Sequence, residues 1–505
     1  MRFIFKYFLL VVICLSIFLI FYKFSYLKLN TADSSIYLSN AENIVNHKGF
    51  VVSYNLCQSF NTLYHPIWAY YQPLYSLFAS FFISHGGIVK VIQANILLFA
   101  LNVTLIFYIV QSVIPSRFNI LFIFFLAFSF NFYISAFYAW TEQLHFLCFI
   151  VSFILFLKHS KSSIHLMILG FLNGIFMLIR VAHFYNFLAY LPVIFIGKDP
   201  IRKKLNQAFS FIGGFIFSFG LYQLFCWFSY HSFYPEYARP GASYGLARFA
   251  TATVYSLDKV GIQIFPTHFF SFKHFLYIQE HLRDFFYQMP FFLWPSLFYF
   301  FLPKHKRMDG GLIALCFSQS IFTVLGYSLT YYWLTFSFDS LRYSLIPFVL
   351  MSIAGWYCMY QGLSLSESWG KRLAGSVILL SLLCPQIARF ISFKDYFLKH
   401  PLLEQPYYKD LFASFEWIDK NLPKEVLVAS DEDQQGYFMH RPFISTPVGQ
   451  SFNCQNFLLY NKIYSPDYYL LSSNISDECL NFAKVKQTKL FSNHTFRVLR
   501  VMKGR

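Results

Sequence analysis

The segment TEQLHFLCFIVSFILFLKHSK, residues 141–161, contains the pattern that decides the fold class. An acid, Glu142, precedes an apolar run, and two lysines, Lys158 and Lys161, follow it. Apolar runs of about 17–25 residues cross a bilayer as helices, and lysines next to a span favour the cytoplasmic side. The segment therefore predicts a transmembrane helix with its lysines in the cytoplasm and Glu142 at the outer membrane edge.

The composition extends this interpretation to the whole chain. Of 505 residues, 57% are hydrophobic and only 12% are charged, whereas soluble domains carry about 25% charged residues. The net charge is +17, but the lysines and arginines cluster in short loops, where they orient spans. With no basic stripe elsewhere, we expect an integral membrane protein that does not bind nucleic acid.

Similar apolar runs predict an all-α polytopic membrane protein with about eleven transmembrane helices. Alternate short loops are basic, which places the N-terminus in the cytoplasm. The predicted spans lie near residues 3–22, 88–113, 118–137, 142–157, 164–180, 182–196, 207–229, 285–302, 311–330, 343–361 and 373–391.

This topology places the loops 23–87 and 230–284 and the C-terminal residues outside the cytoplasm. From residue 392 onward, short β-branched runs alternate with helical stretches, which predicts a small α/β domain. We therefore predict a transmembrane domain at 1–391, including the first extracytoplasmic loop, and an extracytoplasmic domain at 392–505. The apolar run 74–83 is too short to span and predicts an interfacial or re-entrant helix.

The first loop contains TADSSIYLSNAENIVNHKGF, residues 31–50. Its apolar spacing predicts an amphipathic helix at the membrane surface that Gly49 ends. Asp33 falls in the first turn of this helix. A carboxylate there is either an N-terminal cap or a functional group, and the residues alone leave both interpretations open.

Several motifs, in order along the chain, resemble the C-type superfamily of polyprenyl-phosphate-sugar-dependent glycosyltransferases, which includes aminoarabinose transferases and protein O-mannosyltransferases. Ser34 follows Asp33 where the mannosyltransferases have Glu, which separates the chain from that branch. Gln72 replaces the first proline of the family's Tyr-Pro-Pro-Leu-Tyr. The motifs are Asp-x-x-x-Tyr-Leu-x-x-Ala-x-Asn-Ile-x-x-x-x-Gly-Phe, Tyr-x-Pro-Leu-Tyr, AWTEQLHFLCFIVSFILFL, GFLNGIFMLIRVAHFYNFLAYLPVIFI, DSLRYSLIPFVLM and FEWIDKNLPKEVLVASDE.

The resemblance implies sugar transfer, with inversion, from a polyprenyl-phosphate carrier to an extracytoplasmic acceptor at the bacterial inner membrane. Such a reaction needs a carboxylate near the acceptor hydroxyl and cations for the leaving phosphate. A membrane lipid and an extracytoplasmic lipid, glycan or protein acceptor are the expected partners. The candidate residues are Asp33 and Glu142 for catalysis, and Arg180, Arg342, Tyr37, Tyr71, Tyr75 and His145 for substrate binding.

Each candidate also has a structural interpretation. Glu142 can favour a helix start through the macrodipole, the arginines can snorkel to the interface, the tyrosines can belong to an interfacial belt, and His145 can be a structural residue. No cluster has the spacing of metal ligands, so we predict no metal and no other cofactor.

Two other functional classes remain open. A transporter or flippase for a lipid-linked or small anionic substrate would also suit arginines at the outer edge, although such proteins usually carry repeats and polar residues at mid-span. A structural or sensor protein would leave the polar helix of the first loop without a purpose.

Overall fold

The structure is a computed structural model. It describes residues 32–50, 54–56, 72–114, 119–127, 132, 135–136, 138–160, 162–180, 182–196, 199–230, 310–330, 345–364, 406–430, 443–445, 465–472 and 487–501. The predicted spans 3–22, 285–302 and 373–391, the loop 230–284 apart from Tyr230, and the residues Tyr71 and Arg342 lie outside the described residues.

The described part of the chain is mainly helical. Its helices are α1 Ala32–Val45, α2 Pro73–Ser84, α3 Ile88–Val113, α4 Asn119–Ala127, α5 Glu142–His159, α6 Ser163–Phe176, α7 His183–Ile196, α8 Ile201–Tyr230, α9 Gly310–Thr330, α10 Leu345–Ser364 and α11 Pro406–Asn421. Its strands are β1 Tyr54–Leu56, β2 Val428–Ser430, β3 Phe443–Ser445, β4 Tyr468–Ser472, β5 Gln487–Ser492 and β6 Phe496–Val501.

Within the described residues, three helices are long and apolar enough to cross a membrane: α3, α5 and the part of α8 from Ile201 to Phe228. Shorter apolar helices accompany them, namely α2, α6, α7 and the segments Gly311–Thr323 and Leu345–Cys358. The prediction of a mostly helical fold with several apolar helices is thus confirmed, and the count of eleven spans stays a prediction.

The predicted span 164–180 is shorter in the structure. Helix α6 ends at Phe176, and its 14 residues measure about 21 Å at 1.5 Å per residue, less than the roughly 30 Å hydrocarbon core. The chain tightens after the helix, since the backbone N–H of Ile179 donates to Phe176 O at 3.0 Å and that of Leu178 donates to Ile175 O at 2.9 Å. Bonds of this spacing satisfy helix-end carbonyls and stop the helix.

The predicted span 118–137 also differs from the structure. Helix α4 ends at Ala127, and Ser135 and Ala136 form a turn. The turn shows that a helix does not continue to the predicted end at residue 137, and between Ala127 and Ser135 the structure describes only Phe132.

The chain divides into two compact units. The first comprises Met1–Leu19, Asn95–Ala136 and Thr141–Lys394, and the second comprises Ile20–Ala94, Phe137–Trp140 and Asp395–Arg505. The sequence predicts that the first loop belongs to the transmembrane domain. The structure groups its described elements with the C-terminal residues, because α1 and β1 pack and pair with that part of the chain.

In the first unit, helices α6 and α8 approach closely through small residues. A β-carbon on Gly170 would meet the carbonyl oxygen of Phe211, and one on Gly214 would meet that of Met167. The Ser218 hydroxyl donates to Phe171 O at 2.8 Å. Close backbone approach at small residues, with hydrogen bonds across the interface, is how helices associate where lipid provides no hydrophobic driving force.

Buried polar side chains connect the other helices of this unit. Asn186 of α7 donates to Thr323 Oγ1 of α9 at 3.0 Å, and Gln319 Nε2 donates back to Asn186 O at 3.0 Å. Trp356 of α10 donates to Asn119 Oδ1 of α4 at 2.9 Å. Polar groups in hydrocarbon need internal partners, so these pairs fix which helices are neighbours.

The described strands of the second unit form a six-stranded sheet with strand order β1-β3-β2-β4-β6-β5. The first four strands in this order are parallel, and β6 is antiparallel to both of its neighbours. Helix α11 contributes Leu411, Phe415 and Ile418 to the hydrophobic core of this unit. The strand β1 comes from the first loop, whereas the other five strands lie after residue 427.

Helix α1 is not the surface helix that the sequence predicted. Its buried residues cover more than one face, since Leu38 and Ser39 are buried together with Ile36, Tyr37 and Asn40. The helix ends at Val45, before Gly49, and two residues that follow it are left-handed, His47 with φ 58° and Gly49 with φ 83°. Packing against protein on several sides, rather than against lipid on one side, explains this burial.

The close contact between α6 and α8 makes a testable prediction about two adjacent glycines. Replacing either by Ala adds the same helix propensity, about 1 kcal/mol, but only Gly214→Ala overpacks the interface, which costs about 1–3 kcal/mol. A β-carbon on Gly213 meets nothing within 4 Å. We expect Gly214→Ala to lower the melting temperature in detergent and Gly213→Ala to leave it unchanged or raise it. Equal melting temperatures for the two variants would contradict the packing.

Candidate active site

A buried ion pair connects the start of α5 with the chain segment after α6. Glu142 is the first residue of α5, and its Oε1 contacts Nη1 of Arg180. The side chains are 3% and 11% exposed, respectively, and the same Nη1 lies 3.5 Å from Thr141 Oγ1. The structure thus brings together two residues that the sequence analysis selected separately.

A second set of hydrogen bonds fixes the first turn of α5. Gln143 Nε2 donates to Ser135 Oγ at 2.6 Å and to Phe132 O at 3.0 Å. Asn102 of α3 donates to Gln143 Oε1 at 3.0 Å and to its backbone carbonyl at 2.9 Å. Because Gln143 follows Glu142 directly, these bonds also hold the backbone of the acid.

A chain of imidazole and amide groups lies next to the ion pair. His145 Nε2 is 3.1 Å from His183 Nδ1, and His183 Nε2 is 2.9 Å from Asn173 Oδ1. The Asn173 amide donates to Leu169 O at 2.7 Å, which leaves Oδ1 as the acceptor. His183 therefore carries its proton on Nε2, and with both rings neutral His145 donates from its own Nε2.

With these proton assignments, both hydrogen bonds point the same way: His145 donates to His183, and His183 donates to Asn173. His145 lies one helical turn after Glu142 in α5. The backbone N–H of His183 donates to Arg180 O at 3.0 Å, so each histidine is close in the chain to one member of the ion pair. Both histidines are buried, at 4% and 0% exposure. The arrangement fixes the tautomers of two rings at the same helix ends that hold the charges.

The site lies at one end of the helices that carry it. Helix α5 runs from Glu142 to His159, and α6 returns from Ser163 towards Arg180. The ion pair is therefore separated from the basic residue Lys158 by most of the length of α5, about 24 Å at 1.5 Å per residue. The sequence predicts that the ion-pair end is the outer one, and this orientation stays a prediction.

The remaining candidates lie elsewhere in the described structure or outside it. The backbone of Asp33 lies in the first turn of α1. Tyr37 and Tyr75 pack edge to face, with ring centroids 5.0 Å apart, and both are buried. They contact each other in the second unit, and their role in a sugar pocket stays a proposal.

Three polar residues of this cluster were not selected from the sequence: His183, Asn173 and Gln143. Each lies in or beside an apolar run, where polar side chains are uncommon and often functional, so this signal was available. Among the residues that the structure describes, no group of three or more His, Cys, Asp or Glu could hold a metal ion.

The ion pair predicts strong coupling between its two partners. Removing one member of a buried pair leaves a buried charge and costs about 3–5 kcal/mol. We expect Glu142→Gln and Arg180→Gln each to lower the melting temperature in detergent, and the double variant to lose less than the sum. The exposed pair Asp199–Lys203, at 3.0 Å, is the matched control, and its cycle should show at most about 1 kcal/mol of coupling. Additive losses at Glu142 and Arg180 would refute the pairing.

Comparison with known proteins finds similarity in structure but none in sequence families. No protein-family model matches the chain, and no curated protein matches it. The crystal structure of ArnT from Cupriavidus metallidurans bound to undecaprenyl phosphate is similar over 97% of this chain and 97% of that chain, with 13% identity and a TM-score of 0.59. The apo structure of the same protein covers the same shares, with 12% identity and a TM-score of 0.53. The chain therefore has the fold seen in the ArnT structures.

Proposed function

We propose that the protein is a membrane glycosyltransferase that moves a sugar from a polyprenyl-phosphate carrier to an extracytoplasmic acceptor. The observation that carries this proposal is the likeness to ArnT bound to undecaprenyl phosphate, over 97% of both chains. The carrier lies in the membrane with its phosphate at the interface. The acceptor is a hydroxyl of a lipid, a glycan or a protein.

The proposed reaction is a single displacement with inversion. The acceptor oxygen forms a bond to the anomeric carbon while the bond from that carbon to the phosphate oxygen breaks, and the electron pair leaves with the carrier phosphate. The acceptor proton passes to a carboxylate, which we assign to Asp33. Attack on the face opposite the leaving group inverts the anomeric configuration.

Arg180 stabilises the phosphate as its negative charge increases. A guanidinium has five N–H donors, more than one carboxylate accepts, so contact with Glu142 is compatible with a phosphate contact. The contact between Glu142 Oε1 and Arg180 Nη1 supports an orienting role for Glu142. Arg342 is the proposed second cation, His145 completes the polar surroundings of the pair, and Tyr37, Tyr71 and Tyr75 are the proposed sugar-pocket residues.

Helix α8 supports the membrane setting of this reaction. It exposes large apolar side chains along its length, among them Phe209, Ile216, Phe217 and Phe228. Exposed apolar surface of this extent requires lipid or a protein partner. We assign it to membrane lipid, which would also surround the tail of the carrier.

The first test is carrier release in membranes. A panel of labelled undecaprenyl-phosphate sugars is supplied with candidate acceptors, and released undecaprenyl phosphate is measured. We expect Asp33→Asn to lower kcat by about 10²–10⁴-fold, the usual contribution of a general base, with the folded protein yield unchanged. Glu42→Gln, which removes another acid of α1, is the control and should retain activity.

The outcomes separate the functional classes. Normal turnover by Asp33→Asn would make Asp33 a helix cap and would remove it from the mechanism. If the wild type consumes no donor but moves a labelled lipid-linked or small anionic substrate across vesicles, a transporter or flippase replaces the transferase.

A second prediction concerns the phosphate. Arg180→Lys keeps the positive charge but loses the planar pair of donors that an arginine presents to phosphate. We expect kcat for carrier release to fall by about 10²-fold, in the range for loss of one transition-state donor. The control is Lys203→Gln, which removes an exposed positive charge at the other end of the helices. Equal activity of Arg180→Lys and wild type would exclude a directional contact with the phosphate.

A further inference from the structure

The first loop and the C-terminal residues share one hydrophobic core. Ile36 of α1 is 4% exposed and belongs to this core. The other buried members come from helix α11, the turn after it and the sheet: Leu411, Phe415, Ile418, Leu422, Val428, Leu470, Phe496 and Val498. Among the buried members within the described residues, Ile36 is the one contribution from the first loop.

Helix α1 has a second attachment within the same unit. Tyr37 packs against Tyr75 of α2 at 5.0 Å between ring centroids, with an interplanar angle of 74°. Neighbouring residues of α1 therefore contact different elements, Ile36 the C-terminal core and Tyr37 the helix α2. These contacts restrict both translation of the helix and rotation about its axis.

A strand of the first loop also joins the C-terminal sheet. Residues Tyr54–Leu56 pair in parallel with Phe443–Ser445, so β1 forms the edge of the sheet next to β3. The loop is thus connected to the C-terminal residues on both sides of the segment 46–53, by a buried side chain before it and by backbone hydrogen bonds after it.

The position of α1 depends on this packing. A helix of 14 residues is marginally stable in isolation, and α1 carries buried polar residues such as Ser34 and Asn43 rather than a continuous apolar face. The backbone of Asp33 lies one turn before Ile36. A movement of the helix that empties the site of Ile36 would therefore also move Asp33.

We propose that the C-terminal domain positions Asp33, and that it does so through the packing of Ile36 in its hydrophobic core. The assignment to catalysis rests on the proposed function of Asp33, whereas the mechanical coupling of α1 to the C-terminal core does not. The C-terminal domain acts on the reaction through the placement of α1.

Hydrogen exchange of the full-length protein in lipid nanodiscs tests the coupling without any substrate. Leu470→Ala creates a cavity in the sheet side of the core, far from the first loop in the sequence. We expect it to raise amide exchange in α1 as well as in α11, and Ile36→Ala to do the same from the other side. Exchange in α5 and α8 should not change. Ile44→Ala, which truncates a half-buried residue of α1 outside this core, is the control and should leave α11 unchanged.

Faster exchange confined to α11 and the sheet in Leu470→Ala, with α1 unchanged, would overturn the coupling. Where Leu470→Ala does not fold, Leu470→Val and Ile418→Val remove less volume and answer the same question. These measurements test whether α1 is anchored to the C-terminal core, and the result does not depend on whether the protein is a transferase.

Carrier release decides the catalytic part. Misplacement of a reacting group by about 1 Å can cost about 10²-fold in rate, so we expect Ile36→Ala to lower kcat by about 10-fold or more with the KM for the donor changed less than about twofold. Ile36→Val should restore most of kcat, because it keeps a branched side chain in the core. If Ile36→Ala raises amide exchange in α1 but leaves kcat unchanged, Ile36 does not position Asp33 for the reaction.

The two proposals fail in different ways. If the wild type releases no carrier while α1 and α11 remain coupled in hydrogen exchange, the proposed function fails and the anchoring stands. If carrier release depends on Asp33 but α1 exchanges independently of Leu470, the proposed function stands and the positioning role of the C-terminal domain fails.

Discussion

The contact between Glu142 and Arg180 is the constraint on which the first unit of the structure depends. An ionisable side chain in or beside hydrocarbon is costly unless it is paired, so the chain must bring the end of α6 back to the start of α5. That requirement explains why α6 stops at Phe176, short of a full membrane crossing. The turn that follows places Arg180 beside Glu142, and α7 begins three residues later.

The neighbouring polar groups follow from the same constraint. Gln143 binds the preceding turn through Ser135 and Phe132, which fixes the helix start that carries the acid. His145 and His183 join α5 to α7, and Asn173 extends the chain into α6. The cluster therefore connects α5, α6 and α7 by hydrogen bonds at one end. Small residues hold α6 against α8 along its length. A buried network of this kind is stable only when its members are satisfied together.

Some features were predictable from single segments and others were not. Helix α5 and the two charges Glu142 and Arg180 were found because an apolar run flanked by a charge is a local signal. Their pairing was not found, since it depends on where α6 ends, and apolar composition continues past Phe176. The membership of Ile36 in a core formed mostly by residues after 406 leaves no local signature at all, and the three-residue strand β1 is too short to recognise. The surface interpretation of α1 failed for the same reason.

The two candidate carboxylates, Glu142 and Asp33, are therefore positioned by different kinds of interaction. Glu142 is held by a charge partner and directional hydrogen bonds, which have few alternative geometries, so a change of one polar atom has a large effect. The helix of Asp33 is held by side-chain packing, which responds to volume and tolerates exchange between apolar residues of similar size. A substitution that changes the charge of Glu142 but keeps its shape should therefore have a large effect. In the helix of Asp33, a substitution that changes the volume of a packed side chain should have the larger effect.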